Sequence, residues 1–127
     1  MLLLLLFVNY FQFAYYFIFQ MKDSMVVHLV VFHVLLAMSL WSYAMGVLVD
    51  PGFLPEGFDF PHEHGLPRRY CQICHCFKPD RTHHCSMCRR CILGMSNHFS
   101  PFKNCMGLFN KKAIFLFFFY TCMQVLY

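Results

Sequence analysis

Between residues 71 and 105 the sequence repeats a ligand-like spacing. Cys71, Cys74, His84 and Cys91 read C-x2-C-x9-H-x6-C, and Cys85, Cys88, His98 and Cys105 read the same pattern fourteen residues later. One C-x2-C pair constrains little. Two interleaved quartets with identical internal spacing constrain a great deal, because each supplies the four soft N/S donors that tetrahedral zinc prefers. Three Cys and one His fill every position and leave none for water, so the spacing predicts two structural zinc ions, not a hydrolytic centre. A segment this short has too little apolar surface for a self-sufficient core, and metal must supply much of its folding free energy. Disulfides would suit a small secreted domain, but the interspersed His favours metal. His83, Cys76 and Cys122 fall outside both quartets. Cys76 reads as an ordinary loop residue, Cys122 as a packing residue on an apolar helix, and His83 as a neighbour of a ligand.

The rest of the chain is dominated by apolar runs. Of 127 residues, 59% are hydrophobic and 13% charged, against about 25% charged in a soluble domain. Met1–Phe19 carries no charge and as a helix would reach roughly 28 Å, enough for a bilayer core. It lacks the basic start and small-residue cleavage site of a signal peptide. Met25–Val49 is also uncharged and long enough to cross with tilt. It contains His28, placed for an interface, and His33, which should pack against a neighbouring helix. Ala113–Tyr127 is apolar but short for a span, so it is expected either to cross a thinned bilayer or to belong to a longer protein.

Charge placement sets the orientation. Apart from Lys22 and Asp23, every Asp, Glu, Lys and Arg lies between Asp50 and Lys112. A basic segment flanked by apolar runs marks the cytosolic side of a membrane, not a nucleic-acid partner. The expected fold is therefore a mainly α membrane protein. A first transmembrane helix and a short lumenal turn occupy 1–24, and a second transmembrane helix occupies 25–49. A cytosolic linker (50–69) begins with the Asp50-Pro51-Gly52 turn, where Pro cannot continue a helix and Gly frees the backbone. The Cys-rich zinc domain covers 70–112, and a partial third transmembrane helix 113–127. Phe53–Pro67 reads as an irregular linker along the membrane surface, with His62 and His64 as solvated loop residues.

Tyr70–Asn110 closely resembles the DHHC protein S-acyltransferases, or palmitoyltransferases. The resemblance is carried by Lys78-Pro79, Arg81, His83-His84-Cys85, Cys88, Arg90-Cys91, Met95, Asn104-Cys105, Gly107 and Asn110, and by the turn at Asp50-Pro51-Gly52. It implies a four-helix membrane bundle with the zinc domain at its cytosolic face, and a zinc in each quartet already drawn from spacing. It also implies a two-step reaction. A Cys thiolate takes a fatty acyl group, palmitate, from acyl-CoA and passes it to a protein Cys, with His as base and Asp orienting it.

The naming motif falls at 96–99, where this chain has Ser96-Asn97-His98-Phe99. Phe99 has no nucleophilic atom, Asn97 cannot act as a general base near neutral pH, and Ser96 supplies no carboxylate. Ser100-Pro101 stands where the family has Pro-Trp. His98 remains, but it is a metal ligand. His83-His84-Cys85 resembles the motif only superficially, since His84 and Cys85 are already committed to zinc. No catalytic residue is thus expected, and the chain reads as a zinc-stabilised membrane scaffold or binding pseudoenzyme. The alternatives are an active palmitoyltransferase with a substitute nucleophile, Ser100 or Cys76 near Lys78, or a truncated or degenerate product without a fourth span. Expected partners are the lipid bilayer, substrate proteins or an active relative. Palmitoyl-CoA is the family substrate. Arg68, Arg69, Arg89, Arg90, Lys111 and Lys112 form a basic face for anionic headgroups, a CoA phosphate or solvent. The expected location is a multi-pass position in ER or Golgi membranes.

Overall fold

The computed structural model describes residues 2–19, 25–59 and 69–127. The Lys22 turn, His62, His64 and Arg68 lie outside them. Three helices, α1 (Leu2–Phe19), α2 (Met25–Leu48) and α3 (Lys111–Leu126), flank six short strands. These are β1 (Arg69–Cys71), β2 (Cys76–Lys78), β3 (His83–Cys85), β4 (Arg90–Ile92), β5 (His98–Phe99) and β6 (Asn104–Cys105). They pair antiparallel as three separate hairpins, β1–β2, β3–β4 and β5–β6. Among the described residues one helix, Val26–Leu48, is long and apolar enough to cross a membrane by length and composition.

The chain forms two compact units. One comprises Met1–Ala44 with Phe115–Tyr127, the other Met45–Ile114. In the first, aromatic side chains make the interhelical contacts. Phe13 of α1 stacks on Phe32 of α2 with ring centroids 4.1 Å apart, and Tyr43 of α2 meets Phe117 of α3 at 5.7 Å. The His33 ring lies edge-on to Phe13 at 6.2 Å, and its Nδ1 pairs with the Leu29 carbonyl at 2.8 Å. The Ser39 hydroxyl bonds back to the Leu36 carbonyl, which satisfies a buried polar group within its own helix. Large apolar side chains such as Phe11, Trp41 and Phe115 point outward and are exposed, an arrangement that suits lipid better than water.

The second unit holds the Cys-rich segment. The Asp50 carboxylate accepts from the amides of Gly52 (2.7 Å) and Phe53 (2.9 Å), which closes an Asx turn after α2. Gly52 has φ 101°, a conformation open to glycine and few others. Up to residue 59 the chain beyond this turn carries no regular element, but its first residues are anchored. Phe53 bridges to Ile92, and the Leu54 amide donates to the Cys91 carbonyl at 2.9 Å. Leu54 is buried with Cys71, Cys76 and Cys91. Phe53-Leu54 thus adds a single bridge to the edge of the β3–β4 hairpin and places an apolar side chain under the metal ligands.

Two asparagines tie the end of α2 to this unit. The last carbonyls of a helix have no partner within it. Asn104 Nδ2 reaches those of Gly46 and Val47 at 3.2 and 3.1 Å, and that of Val49 just past the helix at 3.2 Å. Asn110 Nδ2 donates to Gly46 O at 3.3 Å and Cys105 O at 2.8 Å, while its Oδ1 accepts from the Gly107 amide. The fit requires glycine at 107, where a Cβ would lie 2.0 Å from the Pro51 carbonyl oxygen.

Candidate metal centre

The hairpins convert the repeat into two sites. At each, a strand end and the following turn give a Cys pair, and the next hairpin gives a His and a Cys facing each other. Cys71 ends β1, Cys74 lies in the β1–β2 turn, and His84 pairs with Cys91 across β3–β4. Fourteen residues on, Cys85 ends β3, Cys88 lies in the β3–β4 turn, and His98 pairs with Cys105 across β5–β6. The middle hairpin therefore serves both sites. Successive residues of a strand point to opposite faces, which is how adjacent His84 and Cys85 separate.

In each quartet the four donor atoms lie within 4.8 Å of one another. His84 Nδ1 is 3.7, 3.2 and 3.9 Å from the sulfurs of Cys71, Cys74 and Cys91. His98 Nδ1 is 3.8, 3.4 and 3.4 Å from those of Cys85, Cys88 and Cys105. Tetrahedral zinc with ordinary bond lengths places N and S ligands roughly 3.6 Å apart. Both donor sets therefore fit a zinc ion each, with Nδ1 as the histidine ligand. The residues after the two turn cysteines, His75 and Arg89, take left-handed φ values of 49° and 55°. That conformation is unfavourable for non-glycine residues, and it occurs at the same place in both repeats.

Thiol electrostatics point the same way. Burial pushes the Cys71 thiol up, but the Cys74 and Ile73 amides and the Cys91 and Cys74 thiols outweigh it, so its pKa falls below the ordinary value. Cys85 is lowered in the same manner. Cys74 and Cys88 are raised, first by burial and then by the neighbouring sulfur. Burial and the surrounding thiols drive Cys91 and Cys105 up further still. In each quartet one thiol thus ionises more readily than its neighbours, and further ionisation meets like charge. A divalent cation removes that conflict.

Residues outside the quartets are placed differently. Cys76 is not a loop residue. It sits in β2 opposite Cys71 and is 1% exposed, because strand pairing turns it into the Leu54 cluster. His83 is exposed. Cys122 is exposed on α3. Ser96 and Asn97 are exposed, and their backbones pair with Met106. The Phe99 ring packs against Phe102 at 5.5 Å. Ser100 is exposed and starts a 3-10 turn, Ser100–Phe102. Of the basic face, Arg90 stacks over Phe53 at 5.2 Å and Arg69 donates to the Pro79 carbonyl. Arg89, Lys111 and Lys112 are exposed. The resemblance singled out Asn104, Gly107 and Asn110, but their roles in holding the α2 end could not be read from spacing, since Asn104 meets carbonyls more than fifty residues away.

The DHHC palmitoyltransferase family model matches residues 64–127. The chain belongs to this family. Similar curated relatives include "Probable protein S-acyltransferase 13" of Arabidopsis thaliana, 40% identical over 114 residues, which cover 73% of this chain and 37% of the relative. "Probable protein S-acyltransferase 14" of the same plant is 38% identical over 119 residues, 76% of this chain and 39% of the relative. "Palmitoyltransferase pfa3" of Aspergillus fumigatus is 38% identical over 100 residues, 65% of this chain and 18% of the relative. The chain thus spans well under half the length of these relatives. In this DHHC family member the two donor sets supply the Cys/His clusters of a zinc-finger domain.

Proposed function

We propose that this chain is a multi-pass membrane member of the DHHC family that keeps the metal scaffold and does not itself transfer acyl groups. The observation that carries the reading is at position 99. Acyl transfer through a thioester needs a thiol outside the zinc quartets, and Phe99 offers an aromatic ring packed on Phe102. Asn97 and Ser96 provide neither base nor carboxylate, and His98 Nδ1 faces the second sulfur cluster. Among substitutes, Cys76 is buried beneath the first cluster, and Ser100 is a hydroxyl whose neighbour in sequence, His98, is turned to the second sulfur cluster.

Charge placement supports a cytosolic zinc segment, and the outward apolar side chains of the helices support a bilayer around them. In this reading the chain resides in ER or Golgi membranes as a scaffold for substrate proteins or an active relative, and any hold on palmitoyl-CoA is binding without turnover. The test is incubation of the purified, zinc-loaded chain with a clickable palmitoyl-CoA. The expected result is no hydroxylamine-sensitive label that depends on residues 96–99. Transfer of the label by the unaltered chain to a substrate protein overturns the proposal.

A further inference from the structure

Cys76 is a fifth donor beside the first quartet. It stands directly opposite Cys71 in the β1–β2 hairpin, and directly opposed residues of an antiparallel pair share one face of the sheet. Its side chain therefore lies on the side of the hairpin where Cys71 meets His84. Cys76 is buried and packs with Cys71, Cys91 and Leu54, and its thiol interacts with that of Cys91. The repeat supplies an internal comparison. Fourteen residues on stands Arg90, which opposes Cys85 as Cys76 opposes Cys71. Arg90 is exposed and stacks over Phe53. The two donor sets thus match in their zinc ligands and differ in sulfur supply, because the first has a spare thiol where the second has a guanidinium.

The choice between the fourth sulfur and the nitrogen depends on the ion. The four donors that lie within 4.8 Å of one another are Cys71, Cys74, His84 and Cys91, so zinc, with its short bonds, is served by those. Softer cations select thiolate over imidazole, and a larger ion with longer bonds to sulfur reaches further. Entry is open as well, since Cys74 lines a cavity of about 420 Å³ together with Leu54, Arg89 and Arg90. We propose that the first donor set is also a site for a soft, thiophilic divalent cation, which takes Cys71, Cys74, Cys76 and Cys91 as ligands and releases His84. In the exchange zinc leaves as the incoming ion binds, and the Cys76 thiol gives its proton to water as its bond to the metal forms. The second donor set keeps three sulfurs and one nitrogen whichever ion it holds.

Cadmium ion is the probe. The zinc-loaded full chain in detergent is titrated with it and followed by cadmium NMR and zinc release. Two resonances are expected. One lies where four sulfurs place it and couples to the β-protons of Cys76. The other lies where three sulfurs and one nitrogen place it and couples to those of Cys85, Cys88 and Cys105. The first zinc should leave at a cadmium concentration about tenfold lower than the second, the low end of what a change around the ligands does to metal affinity. Cys76→Val removes the fifth donor and keeps an apolar side chain beside Leu54. It should retain both zinc ions, move the first resonance to the three-sulfur position and abolish the difference between the sites. If the variant loses zinc, the coupling to Cys76 in the unaltered chain decides alone. Two three-sulfur resonances without coupling to Cys76 overturn the proposal, and so does equal displacement of the two zinc ions. A four-sulfur resonance that persists in Cys76→Val also refutes it, because the fourth sulfur would then come from another residue.

Discussion

His84 and Cys85 are neighbours in β3 and serve different metal sites. His84 Nδ1 faces the sulfurs of Cys71, Cys74 and Cys91, while Cys85 joins Cys88, His98 and Cys105. One three-residue strand thus spans both donor sets, and neither site can lose its geometry without disturbing a strand that the other uses.

Metal content should follow that sharing. The intact chain is expected to bind two zinc ions. His84→Ala removes a ligand from the first site and loosens β3, so zinc should fall below two and the second ion should exchange faster. His98→Ala, at the end away from β1–β2, should leave the first ion in place longer. The effect on affinity at the altered site should exceed the 10–100-fold typical of residues that only support a ligand. His83→Ala should be mild, since His83 is exposed and in neither quartet. Metal analysis and chelator-competition kinetics decide this. Two firmly held ions in His84→Ala would contradict the assignment.

Zinc affinity should rise with pH. Cys91 and Cys105 are pushed up by burial and by neighbouring thiols, so their protons must leave when metal binds. In the metal-free segment the thiols pull in two directions. A thiol raised above its ordinary value of 9.0 contributes stability that is full below that value and is lost as pH rises through the folded pKa. Cys71 and Cys85 are lowered, and their contribution is lost as pH falls through their folded values. Chelator competition between about pH 6 and 8 should show weaker binding at the acid end. A flat profile would mean that the ligands are not thiols losing protons.

The end of α2 depends on Asn104. Its amide nitrogen faces the carbonyls of Gly46 and Val47 in the last turn and of Val49 just past it. Asn104→Ala strands those acceptors and should cost about 1–3 kcal/mol. Asn104→Asp should be worse, because a carboxylate would face three carbonyl oxygens. Thermal unfolding of the zinc-loaded chain in detergent measures both, and an Asp variant as stable as the parent would remove the cap from the account.

Gly107 and Gly57 separate lack of space from backbone conformation. A Cβ at 107 would lie 2.0 Å from the Pro51 oxygen and 2.8 Å from Ile92. Gly107→Ala should therefore cost at least the ~1–3 kcal/mol of an overpacked core. At 57 nothing lies within 4 Å, but φ is +71°, so Gly57→Ala should cost only about 1–2 kcal/mol. Equal losses in unfolding experiments would argue against the close approach of 107 to Pro51.

The two quartets were legible in the sequence because ligand chemistry demands fixed residue types and the repeat doubles the signal. The helices were legible because uncharged apolar runs of that length leave few alternatives. Cys76 was not, since its burial depends on the β1–β2 register and on Leu54, which lies outside the repeat. The roles of Asn104 and Asn110 were not, since backbone carbonyls carry no residue-type signal and the partners are distant in the chain. The order at Phe53-Leu54 was hidden because one added bridge leaves too short a pattern to read.

If the chain is inactive as proposed, rebuilding the family motif should not by itself confer acyl transfer. The variant Ser96→Asp, Asn97→His, Phe99→Cys places an acid, a base and a thiol where the family has them, beside a His98 whose Nδ1 faces sulfur. Zinc content should be retained, because none of the three is a ligand. Ser96 and Asn97 are exposed and held through their backbones to Met106, so both substitutions should be tolerated. Phe99→Cys removes the contact with Phe102 and should cost about 1–3 kcal/mol. The new thiol would still precede the Ser100–Phe102 turn with Pro101 near its start and Lys103 at φ 49°, a backbone set by this chain's own sequence. Misplacement by about 1 Å can lower a rate on the order of a hundredfold. Little or no acyl transfer to a substrate protein is expected from acyl-CoA, even where the thiol becomes labelled. Robust transfer by the triple variant, with none by the unaltered chain, would show that the loop aims the thiol correctly and that these three side chains alone decide activity.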